Sequence, residues 1–507
     1  MRSAKILLVL GKLTSKIFLI CSLSFLLAPL AAGTTLDKIR FGQYPDKIRA
    51  VFDFSAPFDY KTEAAPDKIL LHLKDTQAGP AIDNYVEIND LALRHLEVET
   101  ENSDLKITIP LTQSTDYKIF ALDSPPRLVI DFDREYLNIV SGGTVADGVE
   151  LLKIKKGVTN GTITAAVLKI DLSQATLKPA LALKGEEPSF LESLANFFRP
   201  VNGQEKHFSL DKVSNIAADN QALAAINGTY FDYSGQPLGA LMIDQTLLSF
   251  PIYDRTAFFL DAQNTPHIDS LAISSQFRLD SGCYKITGIN QLRGKKDIIM
   301  YTSVWGETTK TNSLGLELVV IDGKINAINL GNSKVPANGY VLSINDPALE
   351  TLAEKAIIGQ AIKTEIKIIP YASSPENIIQ LISGGPRLLK NGQVYVSKHE
   401  EKFKYDIASG RAARTAIGIT QDKHLLLVTV NGRPRQQKGK NEADSLGATL
   451  EELSNIMLGL GAVEAMNLDG GGSSTMVINN QVINQPVDGS QRRISNALLV
   501  MKKNRLP

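Results

Sequence analysis

The sequence predicts an all-β sandwich near the N-terminus, followed by a larger domain of the α+β class. The chain has 507 residues, which is more than one hydrophobic core normally supports. Within 35–133, apolar and polar residues alternate as they do on half-buried strands. From residue 149 onward, helical and strand-like segments mix without a regular strand–helix–strand period, which favours an α+β domain over a doubly wound sheet.

The overall composition is that of a globular protein without net charge. Hydrophobic residues make up 43% of the chain and charged residues 21%, while Lys plus Arg and Asp plus Glu both number 54. A neutral chain has no general attraction for nucleic acid or anionic membranes. Because no basic block is interleaved with aromatic residues, we expect no nucleic-acid partner.

Residues 1–33 have the pattern of a secretory signal peptide. A basic N-terminal stretch precedes the apolar run 17–27, and small residues at 28–33 offer a cleavage site. The apolar run is short for a membrane span. We expect export to a periplasm or cell surface; the alternative is an uncleaved N-terminal anchor. Cleavage would leave Cys283 as the only cysteine, which excludes an internal disulfide and favours a buried structural thiol.

The segment 35–133 contains the same strand pattern twice. The motif Arg-x-Val-x-Asp-Phe occurs at 49–54 and again at 127–132, with further strand candidates at 69–73 and 105–109. The repeat predicts two similar halves of a small sandwich, and no cluster of chemically active residues is present. The two motifs resemble the signature strands of the AMIN domain, a family found beside envelope enzymes. The resemblance implies that 35–133 localises the protein on peptidoglycan or a related envelope polymer.

The rest of the chain divides into a short connection and the second domain. Residues 134–148 contain Ser-Gly-Gly and few apolar anchors, so we interpret them as a linker. The second domain then spans 149–505. We predict helices at 190–198 and 211–225, and strands at 166–171, 315–321, 416–419 and 425–430.

The most informative stretch of the sequence is 447–476. Thr449-Leu-Glu-Glu452 is a capping box that predicts the start of a helix, and the glycines at 459 and 461 predict its end. The apolar segment 463–468 predicts a buried strand. That strand runs directly into the sequence Asp469-Gly470-Gly471-Gly472-Ser473-Ser474-Thr475.

The loop after this strand has the composition of a ligand-binding turn. Three glycines cost conformational entropy, which a chain accepts where the backbone must turn sharply or approach a ligand closely. Their N–H groups can form an anion-binding nest, and the hydroxyls of 473–475 add donors for phosphate or sugar. Asp469 could act as a base, a nucleophile or a sugar ligand. The alternative is a tight glycine turn capped by an aspartate.

Four other segments carry polar residues beside predicted strands. A polar turn lies at 226–232, and at 382–387 a strand runs into Gly-Gly-Pro-Arg. The segment 411–416 contains two arginines, whose planar forks suit bidentate phosphate binding, and 430–433 ends a strand with Asn-Gly-Arg. The plainer interpretations are a β-turn, a surface salt bridge and a hairpin.

Together and in their order, these motifs resemble the phosphodiester glycosidase family over roughly 150–500. The run 467–475 is the most specific; the others are Gly384-Gly385-Pro386-Arg387, Arg414-Thr415, Asn431-Gly432-Arg433, Gly447-x-Thr449-x-x-Glu452-Leu453 and Arg493-x-x-Asn496. Two positions depart from the family pattern: Asn227-Gly228-Thr229 stands where a Gly-Gly pair is common, and Asn431 where Asp is common. If that Asp is catalytic in the family, Asn cannot replace it; if it shapes a turn or binds sugar, Asn suffices.

The resemblance implies cleavage at the anomeric carbon of a sugar-1-phosphodiester, best known for N-acetylglucosamine. Phosphate is a weaker base than an alkoxide, so the site needs cations and N–H donors more than a strong general acid. Arg414 and the amides of 470–472 suit the phosphate, and Asp469 suits activation of water or stabilisation of an oxocarbenium-like centre; Glu464 is a weaker catalytic candidate. The candidate substrate-binding residues are Asn227, Gly228, Gly384, Gly385, Thr415, Asn431, Gly432, Gly470, Gly471, Gly472, Ser473, Ser474 and Arg493.

Metal ligands are not evident in the sequence. No His or Cys cluster has metal-ligand spacing, so we predict no zinc site and no cofactor. A hard cation such as calcium, held by Asp and carbonyl oxygens, is compatible with the sequence. The leading interpretation is an exported hydrolase that cleaves glycosyl phosphodiesters of envelope glycans. The alternative is a non-catalytic protein that binds an envelope polymer or a sugar phosphate.

Overall fold

The computed structural model describes residues 33–503, with gaps at 45–46, 66, 89, 91, 94, 112–114, 134–135, 159–160, 183–207, 281, 347–348 and 435–444. The predicted targeting segment before residue 33 and the predicted helix at 190–198 lie outside the described residues. Strands make up 55% of the structure and helices 7%. The chain divides into two compact units: residues up to Gly42 with Arg49–Phe132, and Gln43–Ile48 with the chain from Asp133 onward.

The first unit is built from two five-stranded sheets. Their strands are β1 (Thr34–Gln43), β2 (Lys47–Phe54), β3 (Asp59–Ala65), β4 (Lys68–Lys74), β5 (Thr76–Ala78), β6 (Tyr85–Glu87), β7 (His95–Glu101), β8 (Asp104–Pro110), β9 (Tyr117–Asp123) and β10 (Pro126–Asp133). One sheet has the order β5-β1-β2-β10-β9, and the other β3-β4-β8-β7-β6. Buried residues alternate with more exposed ones along β2, β4 and β8, which confirms the strand predictions there.

The repeated motif of the first unit forms two neighbouring strands, β2 and β10. Arg49 of the first copy binds Asp131 of the second copy through two hydrogen bonds, Nε–Oδ1 at 2.6 Å and Nη2–Oδ2 at 2.8 Å. Asp53 of the first copy accepts two hydrogen bonds from Arg40 of β1 in the same way. These charged motif residues therefore join adjacent strands of one sheet.

The second unit contains many more strands and few helices. The strands are β11 (Tyr136–Ala146), β12 (Val149–Val158), β13 (Gly161–Ile170), β14 (Ala175–Leu181), β15 (Ala224–Asn227), β16 (Leu241–Ile243), β17 (Thr246–Ser249), β18 (Thr256–Asp261), β19 (Pro266–Leu279), β20 (Gly282–Lys285), β21 (Gly288–Ile289), β22 (Asp297–Tyr301), β23 (Leu316–Ile321), β24 (Lys324–Asn329), β25 (Gly339–Asn345), β26 (Lys363–Pro370), β27 (Ile378–Ser383), β28 (Arg387–Lys390), β29 (Gln393–Val394), β30 (Arg414–Thr420), β31 (Leu425–Val430), β32 (Ala462–Asn467), β33 (Met476–Ile478), β34 (Gln481–Val482) and β35 (Asn496–Lys502). The described helices are α1 (Val213–Asp219), α2 (Leu349–Lys355), α3 (Tyr405–Ala408) and α4 (Leu450–Gly459), and Gly471–Ser473 forms a 3-10 turn.

Four sheets organise the strands of the second unit. The largest has eight strands in the order β11-β12-β13-β31-β30-β32-β28-β29, and a five-stranded sheet has the order β14-β35-β15-β33-β34. A seven-stranded sheet runs β17-β16-β27-β18-β19-β20 with β26 beside β19, and a second five-stranded sheet runs β21-β22-β25-β23-β24. Side chains from the first three sheets, including Leu168, Ile226, Phe258 and Leu498, meet in the main hydrophobic core.

Three expectations about the second unit need correction. The mostly β composition replaces the expected α+β class. The supposed linker 134–148 contains β11, which pairs antiparallel with β12. Its glycine pair misled the interpretation: a Cβ on Gly142 would lie 2.9 Å from Leu152 Cδ2, so glycine serves close strand packing here. The helix expected at 211–225 is only α1, and β15 follows it.

Helix α4 begins as the sequence predicts. Glu452 N donates to Thr449 Oγ1 at 3.1 Å, and Thr449 N donates to Glu452 Oε2 at 2.9 Å, which is a complete capping box. The apolar face of the helix, with Leu453, packs against β28 and β32 of the eight-stranded sheet and shares a hydrophobic cluster with Val428 of β31. The preceding residue of β31, Leu427, lies on the opposite face of that sheet and packs in the main core. The helix therefore covers one face of the sheet while the main core covers the other.

Two further expectations concern membrane spans and Cys283. Within the described ranges, every helix is too short or too polar to cross a bilayer. Cys283 was expected to be buried, but it is exposed. It lies on β20 at the edge of the seven-stranded sheet, and its Sγ approaches Gln276 Oε1 at 3.0 Å.

Candidate active site

The glycine-rich loop 469–475 begins where β32 ends, beside the start of β30 in the eight-stranded sheet. Leu468 N donates to Thr415 O at 2.8 Å, and Gly471 N donates to Ala413 O at 2.7 Å. The 3-10 turn then closes through Ser473 N and Ser474 N. The loop backbone is therefore held against β30. This contact brings the motif Arg414-Thr415 next to the motif at 469–475.

Asn227, at the end of β15, joins the loop to β30. The residue is 1% exposed. Its Nδ2 donates to Asp469 O at 2.6 Å, while its Oδ1 accepts from the Thr415 hydroxyl at 2.8 Å and from Thr475 N at 3.1 Å. Thr415 Oγ1 also lies 3.2 Å from Ser474 Oγ, and the serine hydroxyl can donate this hydrogen bond. Asn227 and Thr415 were predicted to bind substrate, but both side chains are engaged in holding the loop.

Two predicted glycines are required by close packing around the loop. A Cβ on Gly228 would lie 2.1 Å from Asn496 Oδ1, the atom that accepts from Thr229 N at 2.7 Å. A Cβ on Gly384 would lie 2.6 Å from Asn467 O. The absence of side chains at these positions lets the ends of β15 and β27 approach β32 and β35.

The carboxyl group of Asp469 lies in largely buried surroundings. Burial raises the pKa of Asp469 to about 6, although the Ser473 hydroxyl, the Gly470 N–H and the charge of Arg492 oppose this shift. Gly470 N donates to Asp469 Oδ1 at 2.9 Å. A carboxyl group with this pKa can gain or lose a proton near neutral pH, which suits acid–base chemistry.

The predicted anion nest at 470–472 is partly occupied by the protein itself. The Gly470 amide is used by Asp469, and the Gly471 amide by the carbonyl of Ala413. Gly472 packs against an arginine: a Cβ there would lie 1.9 Å from Arg492 Nη2. The loop amides therefore stabilise the carboxylate and the turn, which reduces what they can offer to a phosphate.

Tyr230 lies between Asp469 and the Gly384-Gly385 segment. Its hydroxyl donates to Gly385 O at 2.9 Å and accepts from Asn467 Nδ2 at 2.8 Å. Burial raises the pKa of Tyr230, and the negative charge of Asp469 raises it further. The phenol is therefore neutral and forms a fixed polar group beside the carboxyl group.

Arg414, the predicted phosphate ligand, is only 4% exposed and is bound by main-chain carbonyl groups. Its Nε donates to Ala448 O at 3.0 Å, Nη1 to Ile407 O at 3.1 Å and Nη2 to Gly410 O at 3.0 Å. Three of the five N–H groups of a guanidinium are thereby used. Burial lowers the pKa of Arg414, while Tyr230 opposes that shift. Arg414 thus holds the chain around the site and contributes charge near the phenol.

A second arginine of the site was not predicted from the sequence. The Arg255 guanidinium lies over the Phe403 ring, 4.0 Å from its centroid, and 5.3 Å from the centroid of Tyr253. It donates to the carbonyls of Glu401 at 3.1 Å and Lys402 at 3.4 Å. In the described part of the chain it forms no ion pair with a carboxylate. Arg255 is therefore a half-buried cation without a direct ion pair, and the Glu401 carboxylate offsets its charge only through space.

Arg255 and Asp469 act on the same phenol from different sides. The Phe403 ring that carries Arg255 lies 5.7 Å from the Tyr230 ring. The charge of Arg255 lowers the pKa of Tyr230, whereas the charge of Asp469 raises it. No sequence signal marks Arg255, because it stands alone in a polar turn before a buried strand.

Glu464, the weaker catalytic candidate, is not brought to the loop. Its Oε2 accepts from Arg387 Nη2 at 2.5 Å, and its Oε1 accepts from Asn391 N at 2.8 Å. Side chains alternate along β32, so Glu464 and Asn467 face opposite sides of the sheet. Arg387 also approaches Asp269 at 3.8 Å. Glu464 therefore belongs to a structural ion network.

Asn431, where the family pattern has Asp, has a structural role in the described contacts. Its Nδ2 donates to Thr164 Oγ1 at 2.9 Å, and its Oδ1 accepts from Gln485 N at 2.8 Å. Gly432 packs closely as well, since a Cβ there would lie 2.8 Å from Ala413 N. The amide of Asn431 thus shapes the chain, a role for which Asn suffices.

The two arginines that precede β35 differ in their relation to the loop. Arg492 pairs with Asp488 at 2.9 Å and lowers the pKa of Asp469 by its charge. Arg493, the predicted substrate ligand, is half-buried one position further on. Arg492 is therefore the arginine whose charge acts on Asp469. The family motif recognised in the sequence began one residue later, at Arg493.

Several buried polar atoms around Tyr230 have no hydrogen-bond partner among the described residues. They are Thr229 Oγ1, Ser383 Oγ, Asn467 Oδ1 and Thr475 Oγ1. They come from the segments that the loop brings together, at the ends of β15, β27 and β32. A buried polar atom without a partner is costly, and a water molecule or a ligand hydroxyl would supply the missing bond. The site therefore offers polar atoms that fit a sugar.

Metal binding receives no support from acidic or thiol clusters. Among the residues that the structure describes, no group of three or more His, Cys, Asp and Glu side chains could hold a metal ion. The expected lack of a zinc site and the compatibility with calcium both stay predictions.

Residues 315–501 match the model of the phosphodiester glycosidase family, so this chain carries a phosphodiester glycosidase domain. It is homologous to the uncovering enzyme, N-acetylglucosamine-1-phosphodiester α-N-acetylglucosaminidase. The Bos taurus enzyme is 31% identical over 138 residues, which are 24% of this chain and 24% of the enzyme. The Homo sapiens enzyme is 32% identical over 126 residues, which are 22% of each chain. The match thus spans about a quarter of the length of these enzymes.

Other relatives extend the similarity along the chain. An uncharacterised protein of Rickettsia conorii is 26% identical over 230 residues, 42% of this chain and 77% of that protein. A solved structure from Synechocystis shares the fold with a TM-score of 0.59 and 21% identity, covering 93% of this chain and 81% of that one. A structure from Burkholderia pseudomallei has a TM-score of 0.54 and 18% identity, covering 92% and 98%.

Proposed function

We propose that this protein hydrolyses a sugar-1-phosphodiester by breaking the bond between the anomeric carbon and the phosphate oxygen. The family match at 315–501 supports glycosidase chemistry on phosphodiesters. The observation that carries the proposal is Asp469, whose pKa is raised to about 6 by burial in a loop that lies near the charge of Arg492 and near unpartnered polar atoms. The proposed substrate is an N-acetylglucosamine-1-phosphodiester of a cell-envelope glycan.

Asp469 acts in its ionised form in this proposal. It accepts the proton of the attacking water, or it stabilises the positive charge that develops at the anomeric carbon. A carbon–oxygen bond to water forms, the carbon–oxygen bond to phosphate breaks, and the phosphate leaves with the electron pair. Both roles require a carboxylate, so activity should rise as the pH passes through about 6.

Arg255 is the proposed phosphate ligand. Its guanidinium is held by an aromatic ring and two carbonyl groups, and it has no carboxylate partner in the described part of the chain. A phosphodiester would supply the direct charged contact that Glu401 does not make, and a charge-assisted contact of this kind is stronger than a neutral hydrogen bond. Arg414 supports the site by fixing three carbonyl groups, and Arg492 keeps positive charge near Asp469.

The sugar is proposed to bind to the polar atoms that lack partners. Thr229 Oγ1, Ser383 Oγ and Asn467 Oδ1 can exchange hydrogen bonds with sugar hydroxyl groups or with an N-acetyl group. Tyr230 adds a neutral hydroxyl beside them. These groups lie on strand ends of different sheets, so the packed scaffold fixes their positions.

The test is a kinetic assay of the exported form, residues 34–507, on an α-N-acetylglucosaminyl phosphodiester. We expect release of free sugar with an acidic limb near pH 6 in kcat/KM. Asp469→Asn should abolish turnover while circular dichroism stays unchanged. Arg255→Gln should raise KM by about tenfold, since it removes one charge-assisted contact, and Arg255→Lys should recover part of that loss.

The alternative is a protein that binds a sugar phosphate without turning it over. It is favoured if the wild type binds the diester but releases no sugar across several sugar phosphodiesters, with divalent cations added. Turnover retained by Asp469→Asn would refute the role of this carboxyl group.

We also propose that the protein is exported and that 35–133 acts as an AMIN-like anchor on an envelope polymer. The basic and apolar pattern of 1–33 supports export. The repeated strand motif supports the anchor, since its charged residues pair within the sheet and leave catalysis to the second unit. Binding of the full chain to purified peptidoglycan, compared with the chain lacking 35–133, tests the anchor.

A further inference from the structure

A groove with mixed polar and apolar lining and a volume of about 580 Å³ lies on the eight-stranded sheet. Its lining includes Lys153, Lys155, Thr162, Thr164, Asn431 and Gln485. Among the candidate site residues predicted from the sequence, only Asn431 is part of the lining of this groove. The groove is large enough for a small polar group and open enough to be reached by a polymer.

Strand register leads from this groove toward the glycine-rich loop. Lys153 of β12 pairs with Ala166 of β13, Ala166 pairs with Thr429 of β31, and Thr429 pairs with Thr415 of β30. Directly paired residues project to the same face of a sheet, so these side chains form one row. Three strand spacings of about 4.8 Å place Lys153 about 14 Å from Thr415, whose hydroxyl holds the loop.

A second row runs beside the first. Lys155 pairs with Thr164, and Thr164 Oγ1 accepts from Asn431 Nδ2 at 2.9 Å. Asn431 in turn accepts from Gln485 N, and the preceding residue, Asn484, donates to Ser474 O at 2.9 Å. The groove and the loop therefore share the short segment 484–485 as a wall.

The groove presents two positive charges without partners. Lys153 and Lys155 are exposed, and they project to the same side because they lie two positions apart on β12. Neither ammonium group forms an ion pair in the part of the chain that the structure describes. A phosphate group would supply the negative charge that complements these two ammonium groups.

We propose that this groove binds a second phosphate of the substrate, carried by its aglycone. The inference rests on the proposed function and narrows it: the substrate is a diester whose alcohol portion carries a second phosphate, as in a polymer of phosphodiester units. The sugar and the scissile phosphate bind at Asp469 and Arg255, and the next phosphate binds between Lys153 and Lys155.

The test compares two substrates that share the sugar and the scissile diester. One has a methyl aglycone, and the other has a glycerol aglycone that ends in a phosphate. We expect Lys153→Gln with Lys155→Gln to raise KM about tenfold for the second substrate and to leave kcat/KM for the first within about twofold, since two exposed ion contacts are lost. The matched control is Lys324→Gln with Lys363→Gln, which removes two exposed lysines elsewhere and should change neither value.

A direct binding measurement separates this inference from the proposed function. Inorganic phosphate is titrated into the Arg255→Gln protein with and without the two groove substitutions, at low salt. Weaker binding after the groove substitutions supports the groove, even if no sugar phosphodiester is ever cleaved. Unchanged phosphate binding, or an unchanged KM for the phosphate-bearing substrate, overturns it.

Discussion

Asp469 is subject to two opposing requirements at the scale of a single residue. The proposed reaction needs a carboxylate, whereas burial favours the protonated acid. The Gly470 N–H and the charge of Arg492 offset part of this burial. The effect of burial is larger than these opposing effects, so the pKa stays near 6. Ionisation of Asp469 at neutral pH therefore lowers the stability of the folded protein.

The stability effect of Asp469 depends on pH in a defined direction. A carboxyl group with a pKa of about 6 when folded and about 3.9 when unfolded binds more protons in the folded state between these values. The free energy of unfolding therefore falls as the pH rises through this window. We expect Asp469→Asn, which cannot ionise, to gain about 2 kcal/mol relative to wild type between pH 4 and pH 8. Urea unfolding at both values checks this; a difference that is the same at pH 4 and pH 8 contradicts it.

Residue-scale prediction from the sequence found the segments of the candidate site more readily than the roles of their residues. The loop at 469–475 is bound to β30, which begins with Arg414 and Thr415. The roles within it were harder to predict, because a sequence does not show that Asn227 has all its hydrogen bonds inside the protein. Arg255 could not be found at all, since its place beside Phe403 comes from a contact across 148 positions of the chain.

At the scale of elements, helix α4 links stability to the site. Its N-cap residue, Thr449, accepts a hydrogen bond from Glu452 N through its hydroxyl. Glu452 Oε1 also accepts from Arg411 Nη2 at 2.5 Å. The residue before the cap, Ala448, accepts a hydrogen bond from Arg414. Loosening the first turn of α4 should therefore also loosen one of the three anchors of Arg414.

Removing the cap should lower stability by a modest and predictable amount. We expect Thr449→Ala to reduce the free energy of unfolding by about 1 kcal/mol, the usual effect of losing a helix N-cap. Thr449→Ser keeps the hydroxyl and should stay within about 0.5 kcal/mol of wild type. Chemical unfolding of the three proteins gives the measurement. Equal losses for Ala and Ser would show that the methyl group, rather than the hydrogen bond, matters.

Elements were predictable from the sequence where local signals agreed with the fold. The capping box gave the start of α4, and alternating or continuous apolar runs gave β2, β8, β31 and β32. The prediction failed at 134–148 because a glycine that serves close packing in β11, such as Gly142, looks the same in the sequence as a glycine in a flexible connection. It failed for the domain class because short helical patterns such as 211–225 end early in a sheet-rich environment.

At the scale of the whole molecule, the candidate active site lies in the second unit, and most of the proposed polymer-binding region 35–133 lies in the first. In the first unit, Arg49, Asp53 and Asp131 of the repeated motif form ion pairs across neighbouring strands. In the second unit, strand ends from several sheets supply Asp469, Tyr230 and Arg255. This separation fits an enzyme whose location is set by one part of the chain and whose reaction is set by another.

Export predicts a shortened mature chain. Because the apolar run 17–27 is short and is followed by small residues, we expect a signal peptidase to remove the leader near residue 33. N-terminal sequencing of the protein recovered from a bacterial envelope fraction should begin near Thr34. Leu26→Arg with Leu27→Arg interrupts the apolar run and should keep the chain in the cytoplasm. A full-length chain found in the membrane fraction would instead favour an uncleaved anchor.

The hydrogen bonds of Asn227 also determine when the site can form during synthesis. They join residue 227 to Thr415, 188 positions later, and to Asp469, 242 positions later. Contacts between such distant parts of a chain form slowly, because long loops must close before they yield any stabilisation. The ribosome makes Asn227 long before its partners exist, so the site can assemble only after nearly the entire chain has been made. For the proposed export, this delay would be useful: a chain that crosses a membrane unfolded would not yet have formed the contacts that join its most distant segments.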